Sequence, residues 1–341
     1  MSTLVNCSSR HAPKIPVWCA CVTMLALGGA VTVSQAQHTW QPERNVEVVI
    51  PSSSGSSLDA GARMLQKVFQ EARIVAVPVL VQNKSGGGGN IATAYLEQRA
   101  GDPHYVLKSA MSLMNNHILG RSKTNYTDFS QIALMYSEHM TIVVPASSPV
   151  KTARDLGDRL RADPQSLSVA IGFAPGGTNH LNMALVMNAM GIDTKKLKTV
   201  AFPGNAQTLT ALMGGHVDMA SMSFAQAFNG MRQGNLRIIG VAAETRGEGV
   251  MAELPTWKEQ GFHVVFENTR FILGTKGMTP AQIAFWDNAL QRTVQHDEWK
   301  KFAAKMNFTS NYVGSKEAPQ RLAAMYKQIK EALVAVGMVA E

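Results

Sequence analysis

From Val46 onward, short apolar runs of the kind that make buried strands alternate with segments whose apolar residues recur every three or four positions. The pattern predicts strands at 46–50, 77–81, 105–107, 132–135 and 140–144, with helices at 59–72 and from 91 to about 98. Ala62, Leu65, Val68 and Phe69 share one face of the first helix. Beyond them the same alternation predicts strands at 167–172, 199–202, 217–220 and 236–242, with helices at 179–190 and 206–213. Residues 264–266 and 271–273 read as strands, and helices at 280–295 and 317–336 follow, the last with Met325, Ile329, Leu333 and Val336 in one stripe. Alternation throughout argues for an α/β fold with parallel sheets covered by helices. Pro145-Ala-Ser-Ser-Pro149 breaks the pattern and marks the expected crossing between domains, giving 44–146 and 268–341 to one lobe and 147–267 to the other.

The polar punctuation carries the candidate chemistry. The strand ending at Pro51 runs through Ser52, Ser53, Ser54, Gly55, Ser56 and Ser57 into a helix. Small residues let a ligand approach the main chain, hydroxyls add donors, and the first N–H groups of a helix point outward at the positive end of its dipole. Similar turns recur at Gly172 to Thr178, before Asn179 and His180, and at Phe202-Pro-Gly204-Asn205-Ala206. Three such loops point to one site for a carboxylate or phosphate.

The first 36 residues differ from the rest. Arg10, His11 and Lys14 precede an apolar stretch from Ile15 to Val33, and Ser34-Gln-Ala36 has the small-x-small form of a leader-peptidase site. Cleavage near Ala36 and export to the periplasm is the expectation. An uncleaved anchor is the alternative, which Pro16 and Gly28-Gly29 weaken. Cys7, Cys19 and Cys21 all lie in this leader, so the exported chain would carry no disulfide, thiolate nucleophile or cysteine-bound metal. No later stretch is apolar enough to span a membrane, and cleavage leaves 305 of 341 residues, a length that favours two domains.

Charge changes little. Removing the two leader cations from the net +8 leaves +6, weak steering for anions and no case for nucleic acid. Lys195, Lys196 and Lys198, and Lys300, Lys301 and Lys305, form the dense runs, and both read as solvated helix faces. There is no G-x-x-x-x-G-K-[ST] loop, no G-x-G-x-x-G, no G-x-S-x-G elbow and no H-E-x-x-H, and no two histidines are four apart, so no cofactor, metal or catalytic set is expected. Asp59 and Asp218 are more simply cap or turn residues, since a carboxylate facing an anion would repel it. His180 reads equally as a packed histidine or a ligand contact. Arg270, in an apolar strand, needs an anion, which is either a structural carboxylate or the ligand.

The order and spacing of these motifs resemble the Bug/TctC family, the periplasmic solute receptors of tripartite tricarboxylate transporters. Pro51-Ser-Ser-Ser-Gly55-Ser-Ser-Leu-Asp59 with Ala62-Arg63 is similar to the family's P-x-x-x-G-G-x-x-D-x-x-A-R opening, and Asn83-Lys-Ser-Gly-Gly-Gly-Gly-Asn90 to its second loop. Ala174-Pro-Gly-Gly-Thr178-Asn-His180, Phe202-Pro-Gly204 and Leu212-Met-Gly214-Gly215-His-Val-Asp218 follow in family order. Thr210 to Asp218 and Asn268 to Arg270 look closer to the tricarboxylate-binding branch, while Ser56, Pro203 and Thr269 depart from the usual pattern.

The resemblance implies a two-lobed periplasmic binding protein of type II, a Venus flytrap closing on a small organic carboxylate. It implies ligand contacts from Ser53, Ser54, Gly55, Ser56, Ser57, Thr178, Asn179, His180, Gly204, Asn205 and Ser223, with Arg270 as branch-specific support and Ser109 and Ser112 as weaker candidates. Asp59, Gly88, Gly89 and Asp218 would order loops. The implied partners are a small organic acid and the large and small permease subunits, with the receptor a monomer that binds no nucleic acid. The rival functions are an exported ester-cleaving enzyme, which lacks a motif for a base and oxyanion hole, and a sensory adaptor on the same fold.

Overall fold

The computed structural model describes residues 40–172 and 175–340. The leader, its cysteines, and Ala174 of the third motif lie outside them. No described helix is long and apolar enough to cross a membrane.

Two sheets share one strand. In the first sheet, β1 (Val46–Ile50) lies between β2 (Val79–Asn83) and β3 (Tyr105–Ala110), all parallel. The connections are α1 (Ser57–Glu71) and α2 (Asn90–Glu97), helical crossovers of the kind that join parallel strands. After α3 (Ser112–Ile118) comes β4 (Ser130–Pro145), a strand of 16 residues. In the second sheet, β5 (Ser168–Gly172) lies between β6 (Lys198–Phe202) and β7 (Met219–Ser223), again parallel. Here α4 (Ala153–Ala162), α5 (Thr178–Ala189), α6 (Asn205–Met213) and α7 (Phe224–Arg232) intervene, and β8 (Leu236–Val241) follows. The chain then runs through β9 (Glu267–Gly274), α8 (Pro280–Gln295), α9 (Asp297–Met306), the two-residue β10 (Phe308–Thr309) and α10 (Ala318–Ala335).

Antiparallel pairing corrects the all-parallel expectation. β9 runs antiparallel between β3 and β4, β10 pairs antiparallel with β4, and β4 pairs antiparallel with β7 and β8. The two strands expected at 132–135 and 140–144 are one, because Ser137 and Glu138 between them are buried with side-chain partners and do not interrupt the ladder. Residues up to His139 pair with β9, and those from Met140 pair with β7 and β8. The change of sheet therefore precedes the Pro145–Pro149 break. Residues 264–266 form no strand: Phe266 N–H donates to Ala242 O at 3.1 Å beyond the end of β8, and Val265 is exposed.

The inner strands of each sheet, β1, β5 and β7 among them, are buried on both faces, which is why they read as near-continuous apolar runs. Leu65, Phe69, Trp286 and Trp299 pack α1, α8 and α9 onto the first sheet with Tyr136 beneath them. Leu212, Phe224 and Met222 belong to a core on the second sheet, while the α10 residues Met325, Ile329 and Leu333 join a core that also holds Met114 and Leu134.

Candidate functional site

Parallel strands deliver helix starts to one end of a sheet, and here both sheets aim theirs at a common cavity of about 70 Å³. Ser56, Ser57 and Leu58 line it from the start of α1, Thr178 and Asn179 from α5, Asn205 from α6, Gln226 from α7, and Ser112 and Asn116 from α3.

The first loop is organised by its acid. Asp59 accepts from Gly55 N–H at 2.9 Å, from Asn83 Nδ2 at 3.0 Å and from Arg63 Nε at 3.0 Å. Burial pulls this carboxyl upward, but the bonds from Arg63, Gly55 and Asn83 outweigh it and hold it below its ordinary value. Ser56 caps α1, its hydroxyl accepting from Asp59 N–H at 3.1 Å, while Ser52 Oγ meets Ser56 Oγ at 2.8 Å. Gly55 sits at φ +82°, a conformation that suits glycine. In the second loop Gly88 and Gly89 also have positive φ. Gly88 O accepts from Asn116 Nδ2 at 2.8 Å, which ties the loop to α3 and sets Gly88 itself on the cavity wall.

On the opposite wall the helices are left uncapped by side chains. Gly177 and Gly204 are the caps of α5 and α6, and neither offers a hydroxyl or carboxylate to the first-turn amides. Asn179 Nδ2 donates to Asn205 Oδ1 at 2.6 Å, joining the two helix starts. Gly172 makes room for that pair, since a Cβ there would collide with the Asn205 amide.

Beneath Ser57 lies a buried ionic cluster. Arg270 on β9 donates through Nε to Glu138 Oε1 at 2.8 Å, and its Nη2 lies 2.8 Å from Glu138 Oε2. Arg270 is 6% exposed and Glu138 1%. Burial works against the guanidinium, yet Glu138 outweighs it and raises its affinity for the proton. Ser57 Oγ bridges the pair, donating to Glu138 Oε2 and accepting from Arg270 Nη2, each at 3.3 Å. With its amide assigned so that the oxygen faces the guanidinium, Asn268 accepts from Arg270 Nη1 at 3.2 Å and Nη2 at 3.1 Å. Behind them Lys108 is fully buried, donating to Leu58 O at 3.2 Å and to the Tyr136 hydroxyl at 2.9 Å. Burial first, and then the Arg270 charge, push its ammonium well below the ordinary lysine value. Gly61 on α1 leaves the space, because a Cβ would come within 2.9 Å of Lys108 Nζ.

The expected site residues divide. Ser56, Ser57, Ser112, Thr178, Asn179, Asn205 and Arg270 line the cavity. Ser53, Ser54 and Gly55 line an outer groove that shares Ser56, Ser57 and Asn205 with it. Ser109 faces a small neighbouring pocket beside Gly89. His180 is not on the wall of the cavity: its Nδ1 accepts from Gly176 N–H at 2.8 Å and orders the turn, and burial lowers its basicity. Gly204 serves as a cap, its carbonyl accepting from Thr208 Oγ1 at 3.0 Å. Ser223, the cap of α7, is buried with its hydroxyl unpartnered among the described residues. Asp218 accepts from Ser168 N–H at 2.7 Å and Oγ at 2.6 Å, a turn role. Of the two readings of Arg270, the structural ion pair with Glu138 is present, and the same guanidinium reaches the wall.

Glu138, Lys108, Asn116 and Gln226 were not anticipated. Lys108 carries a charge within an otherwise apolar run, the signal that singled out Arg270, whereas Glu138 stands between Ser137 and His139 and gives no such signal. Among the described residues no group of histidine, cysteine and carboxylate side chains could hold a metal.

The family model described as the tripartite tricarboxylate transporter family receptor matches residues 62–337. A UPF0065 protein from the gbd 5' region of Cupriavidus necator is 27% identical over 318 residues, covering 92% of this chain and 94% of the relative. Among solved structures, MatC from Rhodopseudomonas palustris with bound malate superposes with a TM-score of 0.76 at 21% identity, over 86% of this chain and 99% of that one. Rpa4515 of R. palustris with adipate gives 0.80 at 20% identity, over 87% and 98%. At these identities the structural likeness is one of fold, the two-lobed α/β architecture of periplasmic solute-binding proteins. The family model spans most of the chain, so the protein belongs to the tripartite tricarboxylate transporter receptor family.

Proposed function

We propose that the chain is a periplasmic receptor that captures a small organic carboxylate in this cavity and delivers it to a membrane permease of large and small subunits. One observation carries the reading: the first turns of α1, α5 and α6 meet at a single cavity, and α5 and α6 begin at glycines that leave their amides uncapped by side chains. Helix N-termini attract carboxylates through those amides and the dipole. The Ser57, Ser112 and Thr178 hydroxyls would add donors. Malate and adipate bound to proteins of the same fold support a carboxylate as the ligand.

Contacts from both sheets make a ligand favour the closed form, because only differential affinity shifts an open–closed equilibrium. The two sheets, as the lobes, would move about the strand crossing in β4 and the segments leading to β9. Export follows from the leader, and the receptor acts as a monomer.

An ester-cleaving reading needs a base at a cavity serine. The carboxylate that Ser57 meets is Glu138, and both its oxygens are engaged by Arg270. Family and fold neighbours are binding proteins. A thermal-shift screen of residues 37–341 against carboxylates tests the proposal. Ligand at a hundredfold excess over Kd adds about 2.7 kcal/mol, and a flat response across a broad panel contradicts it.

A further inference from the structure

Among the described residues lining the cavity, Arg270 is the single ionisable side chain. Its charge is already matched by Glu138, which meets it through both oxygens. The other polar groups on the wall are amides and hydroxyls, among them Asn116, Gln226, Ser57 and Thr178. The neighbouring charges are also committed: Asp59 is bonded to Arg63, and the Lys108 nitrogen bonds Leu58 O and the Tyr136 hydroxyl. Positive potential in the cavity therefore comes from helix N-termini, each equivalent to roughly half a unit charge. That suits one or two carboxylates. A third would be desolvated against a wall with no free cation.

We propose, building on the carboxylate-receptor reading, that Glu138 sets the charge class of the ligand. By occupying Arg270 it fits the cavity to acids with one or two carboxylates and against tricarboxylates. Glu138 is a positioning residue, since it acts through the guanidinium, and Ser57 is the point where the pair meets the wall. Removing the carboxylate frees a forked cation on a surface that otherwise offers only neutral donors, which favours the more highly charged acid.

The experiment is calorimetric titration of residues 37–341 with butyrate, succinate and citrate at fixed pH and ionic strength, for the unsubstituted protein and Glu138→Gln. The unsubstituted protein is expected to bind butyrate or succinate at least tenfold more tightly than citrate. Glu138→Gln should raise the citrate-to-succinate affinity ratio at least tenfold, a change that a purely structural role would not produce. If Glu138→Gln does not fold, the double variant Glu138→Gln/Arg270→Gln serves, and it should keep the original ranking. Citrate bound as tightly as succinate by the unsubstituted protein, or an unchanged ratio in folded Glu138→Gln, overturns the assignment and leaves the receptor reading standing. Silence of all three acids and of a broad carboxylate panel overturns both.

Discussion

Asn179 and Asn205 face each other across 2.6 Å, the side-chain amide of one helix start donating to that of the next. The bond fixes the spacing of two uncapped N-termini, α5 and α6, on the same wall of the cavity. Gly172 lies against it at the end of β5. Gly172→Ala should therefore push the Asn205 amide aside, destabilising the fold by about 1–3 kcal/mol as over-packing does and weakening carboxylate binding. Urea unfolding and titration of the same variant check both effects. Wild-type affinity in a destabilised Gly172→Ala would show that the helix spacing does not matter to the ligand.

Arg270→Met leaves Glu138 buried without its partner. Removing one member of a buried pair costs about 3–5 kcal/mol. The double substitution Arg270→Met/Glu138→Gln should recover much of that loss, because no uncompensated charge remains. Equilibrium unfolding of both variants and of Glu138→Gln completes the cycle, and additive losses would contradict a direct coupling.

Lys108 titrates in the opposite direction from a salt-bridged lysine. Its folded value is depressed below the ordinary 10.5, so between the two values the unfolded chain binds a proton that the folded chain releases. Stability then rises with pH across that window and levels off above the unfolded value. Lys108→Met, of similar length and without the charge, should flatten this slope. The check is ΔG of unfolding measured from neutral to alkaline pH in both proteins, and parallel curves would remove Lys108 as the cause.

Asp59 should dominate a different limb. Its folded value is lowered, so its contribution is present above the ordinary 3.8 and is lost as pH falls through the folded value. Asp59→Asn would remove that acid-sensitive component and loosen the Gly55 and Arg63 contacts, at a cost of about 0.5–2 kcal/mol, the scale of a helix-start carboxylate. Acid unfolding followed by circular dichroism distinguishes this from a residue that only touches ligand, which would leave the acid limb unmoved.

Local signals made most of the architecture readable. The loops at 51–57 and 83–90 announce themselves by glycine and serine runs and that at 202–206 by Pro203-Gly204-Asn205, each between an apolar strand and a helical period, and the predicted helix starts lie within two residues of the observed ones. Neither α4, although Thr152 and Asp155 form a capping box at its start, nor α7, a nine-residue helix that contains Gly230, is among the helices the pattern predicts. Antiparallel β9 and the doubly shared β4 depend on pairing between distant segments, which periodicity does not encode. The same limit hid Glu138. It meets Arg270 across 132 residues through the register that sets Tyr136 opposite Arg270, so a lone arginine in an apolar strand pointed to an anion without identifying which one. Of the two readings His180 allows, the bond from Gly176 N–H favours the packed one, and that bond lies within its own turn.

The central claim is that helix-start amides of both sheets grip one carboxylate between them. A crystal structure of residues 37–341 with the acid that gives the largest thermal shift tests it most directly. The account predicts carboxylate oxygens within hydrogen-bond distance of first-turn N–H groups of α1 and of α5 or α6, with Arg270 still bound to Glu138. A ligand seated elsewhere, or held by one wall alone with those amides unengaged, would contradict it.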